Sequence, residues 1–347
     1  MKPDGFLLDP EIVFLNHGSF GSCPVAVLDE YRRWQDELER RPVEFLGRRL
    51  KELLAGARGE LAAFVGAQPD DLVFVPNSTS GVNVVARSLG LAPGDEVLTT
   101  EEEYGACEHA WEHYGAALVR RPVDDLWSGL SERTRVLFVS HIASETARVL
   151  PVAEWAARAR EAGLLVVVDG AHAPGQLELD VSAVGADAYV GNCHKWLCAP
   201  KGSGFLWVRP ELQERIASLV VGWGYGEDST FLSRNERQGT RDPAAYLATP
   251  AAIRWLRAHG EPERCRALAA ECAQRIGGAV EPHAPQMVAC ELPPCDAEAL
   301  QKRLLERHSI EVPVKAHRKQ VLLRASLQTY NDRYDLERLV DALAREL

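Results

Sequence analysis

The stretch LLVVVDGAHAPG (164–175) decides the fold. Five apolar residues run unbroken into Asp169, and a Gly-Ala-His turn closes with Pro174 and Gly175. A run that is apolar at every position is how a strand buried on both faces reads, and such strands belong to mostly parallel sheets covered by helices. In open sheets of that kind ligands sit beyond the carboxyl ends of the strands, so Asp169 is placed to face a crevice. The plainer alternative is an aspartate that only caps the turn after the strand.

Outward from this stretch the same pattern repeats. Strand-like segments recur at 72–75, 96–99, 135–140, 187–191 and 203–208, alternating with helical periodicity, and helices are expected near 24–40 and 43–64. The sequence therefore predicts an α/β fold around a large, mostly parallel sheet. Between 220 and 242 the pattern breaks into a Gly-rich polar segment with Trp223, Tyr225 and Phe231, too long for an ordinary connector. Beyond it, helices near 243–276, 296–308 and 332–346 and strands at 286–292 and 321–326 predict a smaller C-terminal α+β domain. Three parts are expected: an N-terminal segment over 1–22, to which the resemblance named below gives an active-site role, a large domain over 23–242 and the small domain over 243–347.

Composition narrows the function. The 347 residues are 46% hydrophobic and 26% charged, enough to bury a large core. The formal charge of −11 gives no pull toward phosphodiester backbones or anionic lipid. Neither nucleic acid nor a membrane is expected as a partner. The N-terminus lacks a basic region followed by an apolar run, which predicts a soluble, unexported, cytoplasmic protein. Eight scattered cysteines form no C-x-x-C pair, so reduced thiols and no metal site are expected.

Two further segments carry chemistry. In DAYVGNCHKWLCAPKGSGFLWV (187–208), His194 and Lys195 stand among apolar residues. A lysine desolvated in this way favours its neutral form and serves as an amine nucleophile or base, unless it only snorkels from the edge of the core. In LVFVPNSTSGVNVVARSL (72–89) a polar turn with Ser78 and Thr79 precedes a helix, where the dipole favours a phosphate, although Ser and Thr also cap ordinary helices. A cofactor with a basic pyridine nitrogen and an aldehyde would use both Asp169 and Lys195. A dinucleotide-binding or Walker loop would need a glycine pattern that VPNSTSGVN does not have.

These three segments, in this order, resemble the class V aminotransferase family of pyridoxal-phosphate enzymes. FLNHGSFG (14–21), EYGA (103–106), GTRDPAAYLA (239–248) and LLRASLQTYN (322–331) are similar to the branch holding isopenicillin N epimerase and the C–S lyases. The resemblance implies the type I fold of PLP-dependent transferases, aspartate aminotransferase-like, with pyridoxal 5'-phosphate as cofactor. It implies that Lys195 holds the cofactor aldehyde as a Schiff base and shuttles the substrate α-proton, and that Asp169 pairs with the pyridine nitrogen. Tyr104 would stack on the ring. Ser78, Thr79 and His194 would hold the phosphate, and His172 and Ser144 would sit near the ring hydroxyl. Thr240, beside Gly239, would reach the phosphate of a neighbouring subunit, making a homodimer with shared active sites. Arg324 would grip the substrate carboxylate, and Asn16 and His17 would lie in the segment that closes over the substrate.

Two departures matter. Cysteine desulfurases of this fold carry a nucleophilic cysteine shortly before the RAS segment, and here no cysteine occurs from 296 to 347. Persulfide transfer is therefore not expected. The family's Thr-Gly is Thr146-Ala147 here, which bears on the local turn and on Ser144. Expected is a C–S lyase acting on an S-substituted cysteine or cysteine sulfoxide and releasing pyruvate and ammonia; the alternatives are an epimerase or an aminotransferase. A scaffold that has lost catalysis would have lost Lys195, Asp169 or Arg324, and all three are present.

Overall fold

The computed structural model describes residues 5–347, so the first four residues of the expected N-terminal segment lie outside it. Twelve strands form three sheets among the described residues: β1 Val13–Phe14, β2 Leu72–Val75, β3 Glu96–Thr100, β4 Ala117–Arg121, β5 Thr134–Ser140, β6 Leu165–Asp169, β7 Ala188–Asn192, β8 Gly204–Val208, β9 Met287–Leu292, β10 Ile310–Glu311, β11 Val314–His317 and β12 Gln320–Ser326. The large sheet has the order β2-β8-β7-β6-β5-β3-β4. Only β8 runs against its neighbours.

The apolar runs are buried on both faces. Val166 and Val168 of β6 join one core with helices 25–40, 50–65 and 152–161, whereas Val167 joins another with helices 78–89 and 105–113. Side chains alternate across a strand, so a strand sandwiched this way has to be apolar throughout. The edge strand β4, ALVRR, is half exposed and lacks such a run. For that reason sequence periodicity passes over it.

Chain order reverses between β3 and β5, which lie side by side although β4 intervenes in sequence. Thr100, Ser140 and Asp169 end β3, β5 and β6, bringing three polar side chains to this one crevice. The small sheet, β11-β12-β9, packs with helices 262–276, 297–308 and 333–346 around a separate core that also takes Val13 and Leu15. Tyr246, Leu247, Ala252 and Ile253, beyond the expected boundary at 242, pack in the core of the large sheet.

Other expected elements are subdivided. The helix expected over 43–64 is interrupted by a wide turn at Phe45–Arg49, and the helices expected over 243–276 are three: 244–247, 249–259 and 262–276. Pro250 and Pro262 sit at the first turns of the second and third pieces, where a missing N–H costs nothing.

Candidate active site

A cavity of about 210 Å³ opens at the carboxyl ends of β5, β6 and β7. It gathers Ser78, Thr79, Tyr104, Ser144, Asp169, His172, His194 and Lys195, residues from distant parts of the chain.

Each is placed by a local device. Asn77 caps helix 78–89 by accepting from the Ser80 N–H at 2.8 Å, and Asn192 at the end of β7 accepts from the Ser78 N–H at 2.8 Å. The helix N-terminus is thereby tied to the strand that leads into Lys195. Ser78 Oγ is buried and has no hydrogen-bond partner among the described residues. A buried hydroxyl left unpaired at the start of a twelve-residue helix suits an anionic ligand.

Asp169 accepts from the Ala171 N–H at 2.9 Å and from Cys107 Sγ at 3.4 Å. Burial raises its pKa, against the pull of the Ala171 bond and the Lys195 charge. A protonated pyridine nitrogen would supply the cation that this carboxylate lacks. Burial also pushes Lys195 down to about 8, with help from the Arg324 charge, while Asp169 and Cys107 act in the opposite direction. Gly175 makes the turn possible: its φ is +87°, and a Cβ there would lie 2.6 Å from the Trp196 carbonyl carbon.

His194 Nδ1 lies 3.1 Å from the Ser203 carbonyl oxygen, so Nδ1 donates and Nε2 keeps its lone pair. Burial holds His194 down to about 4. A dianionic group beside it would favour the imidazolium, which donates from both nitrogens. An unpaired helix-start hydroxyl, a depressed lysine and a buried strand-end carboxylate together fit pyridoxal phosphate: phosphate, aldehyde and pyridine nitrogen would each meet a matching group.

The expected residues His17, Asn16 and Arg324 lie outside the cavity lining. His17 is fully buried beneath the cavity, its Nδ1 2.8 Å from Tyr330 Oη and its Nε2 3.0 Å from the Lys195 carbonyl oxygen. It braces the lysine backbone and does not face the cavity; burial pushes it down to about 3. Asn16 turns outward to Glu311 and accepts from Ser19 Oγ, so from this segment it is Ser19 and Phe20 that line the cavity. Arg324 stands one layer back, donating to the Ser144 carbonyl and to Ser19 Oγ, with its Nε buried and unpartnered among the described residues. Ser144 keeps its place because Ala147 adopts the left-handed conformation a glycine would take, at φ 60°, and its N–H bonds to the Ala143 carbonyl at 3.1 Å.

Thr240 does not reach this cavity. It lines a second one of about 260 Å³ with Leu46, Leu50, Trp223, Arg237 and Arg241.

Sequence reading missed Glu103. This half-buried carboxyl accepts from Thr100 Oγ1 at 2.5 Å and from Ser140 Oγ at 2.6 Å, spanning the crevice between β3 and β5. Burial pushes it up to about 8, and the Asp169 charge adds to the rise. Its one signal was a carboxylate immediately before Tyr104, in a run of three glutamates that reads as a solvated turn. No cysteine lines the cavity among the described residues.

The class V aminotransferase family model matches residues 24–339. The chain belongs to the class V aminotransferase family. It is accordingly a PLP-dependent enzyme of type I fold. Isopenicillin N epimerase of Amycolatopsis lactamdurans is 38% identical, covering 97% of this chain and 95% of its own. A probable chloroplastic L-cysteine desulfhydrase of Arabidopsis thaliana is 28% identical over 96% of this chain and 83% of its own. Among solved structures, a mutant of C-DES with glycine covalently linked to its PLP cofactor superposes with a TM-score of 0.86, at 24% identity and 97% coverage of both chains. No helix among the described residues is long and apolar enough to cross a membrane.

Proposed function

We propose that this class V enzyme is a C–S lyase that eliminates the sulfur substituent from Cβ of an S-substituted cysteine or cysteine sulfoxide and releases pyruvate and ammonia. The observation that carries this reading is that one base, Lys195, stands paired in the cavity while most other proton carriers have their hydrogen bonds taken up. Lys195 and His172 touch each other, His194 is turned to the Ser203 carbonyl, and His17 and Tyr330 are bonded together below. Elimination needs one base; epimerisation needs a second donor across the substrate.

Pyridoxal phosphate, when bound, supplies an aldehyde that takes the substrate amine and a ring that accepts the electron pair left at Cα. Ser78, Thr79 and His194 would hold its phosphate, Asp169 its pyridine nitrogen, Tyr104 its ring face, and His172 and Ser144 its hydroxyl side. Lys195 removes the Cα proton and returns a proton to the departing sulfur, and water then releases pyruvate and ammonia. Arg324 would grip the substrate carboxylate. A cytoplasmic homodimer would bring Thr240 of a second copy to the phosphate.

A panel of S-substituted cysteines, assayed for pyruvate and ammonia, tests the reading. Equimolar pyruvate and ammonia are expected; turnover without pyruvate refutes it. Epimerisation is the second reading, supported by the 38% identity to isopenicillin N epimerase, and Tyr104 would be its second donor.

A further inference from the structure

Three side chains stand in a row, from the buried Trp196 to His172 and Lys195 on the cavity lining. The Trp196 indole N–H donates to His172 Nδ1 at 3.2 Å, and His172 Nε2 lies 3.1 Å from Lys195 Nζ. An indole nitrogen can only donate, so Nδ1 must offer its lone pair. Burial keeps His172 well below its ordinary range and therefore neutral, and the Arg324 charge works in the same direction. A neutral imidazole has one proton, and here that proton must sit on Nε2. His172 is then the donor toward Nζ. Only an unprotonated amine has a lone pair to accept it, because an ammonium would set N–H against N–H.

We propose that Trp196 is a positioning residue whose indole N–H fixes the tautomer of His172 and, through it, holds Lys195 as the free amine. Its consequence for chemistry rests on the reading of Lys195 as the cofactor lysine; the tautomer itself does not. The other charges facing Nζ do not settle its state alone. Burial and Arg324 favour the free amine, while Asp169 and Cys107 favour the ammonium. The His172 donor tips this balance toward the form that attacks an aldehyde. Trp196 is fully buried, with its ring 6.5 Å from that of His172, so the indole approaches through its N–H edge and not by stacking.

The test is nitrogen NMR of the full-length cofactor-free enzyme with labelled histidine. Of ten histidine signals, the one lost in His172→Gln belongs to His172. The expected result, read above about pH 8 where the Lys195 amine is free to accept, is a protonated Nε2 and a bare Nδ1. A proton on Nδ1, or an imidazolium, overturns the proposal. Trp196→Phe removes the N–H and keeps an aromatic ring. It is expected to release the tautomer preference and to raise the pH midpoint for PLP capture by about one unit, an approximately tenfold slower capture below the midpoint. An unmoved tautomer and midpoint overturn it. If that variant does not fold, the tautomer of the unsubstituted enzyme still decides. Capture surviving in Lys195→Ala would refute the reading of Lys195 while leaving the tautomer result to stand.

Discussion

The two cavities differ in what the chain supplies to them. At the strand ends, Lys195, His172, Asp169 and Ser78 are brought together by hydrogen bonds and burial within one copy. Around Thr240 the walls are helix 50–65 and the loop 220–242, and Trp223 is 86% exposed there. Burial shifts proton affinities in the first; in the second, a large aromatic faces water. Under the proposed function, the difference is between reaction chemistry assembled within one chain and a phosphate contact that would wait for a second.

Substitutions can break that comparison. Lys195→Ala is expected to cost at least ~10³-fold in turnover with the fold retained by circular dichroism. Comparable turnover would mean the first cavity is not the reaction site. Asp169→Asn removes the buried charge and should slow turnover about 10²-fold, read as kcat; an unchanged kcat argues against an ion pair with the pyridine nitrogen. For Arg324→Ala the expected loss is in KM, raised about 10- to 100-fold, since a charged hydrogen bond contributes about 1.5–3 kcal/mol. A change confined to kcat would detach Arg324 from the carboxylate. Thr240→Ala should weaken PLP binding about tenfold by the same scale, with dimerisation checked by sedimentation. Unaltered PLP affinity would separate the second cavity from the phosphate.

The smallest effect concerns pH. His17, His141 and His194 are held by burial to about 3, 4 and 4. Unfolded histidine protonates near 6.5, so the unfolded chain binds more protons below that pH. Stability should fall as pH drops from about 6.5 toward 4, measured as a falling Tm. Lys195, at about 8 when folded and 10.5 when unfolded, works on the other side and should add stability as pH rises between those values.

How much of this was legible in the sequence follows from burial. Strands β5 to β8 read plainly because both faces are covered, and β4 was passed over because Arg120 and Arg121 belong to an edge. Lys195 and Asp169 stood out as charges interrupting apolar runs. Glu103 did not, because the partners that bury it, Thr100 and Ser140, come from two different strands. His17 was assigned to the substrate from its neighbours in sequence, yet its imidazole is taken up by Tyr330, more than three hundred residues away. Long-range hydrogen bonds of this kind have no periodic trace.

One experiment tests elimination by a single base most directly: an S-substituted L-cysteine incubated with the enzyme in deuterium oxide. Pyruvate should form, and any recovered amino acid should remain L. Recovered D-amino acid carrying deuterium at Cα, without pyruvate, would contradict the account.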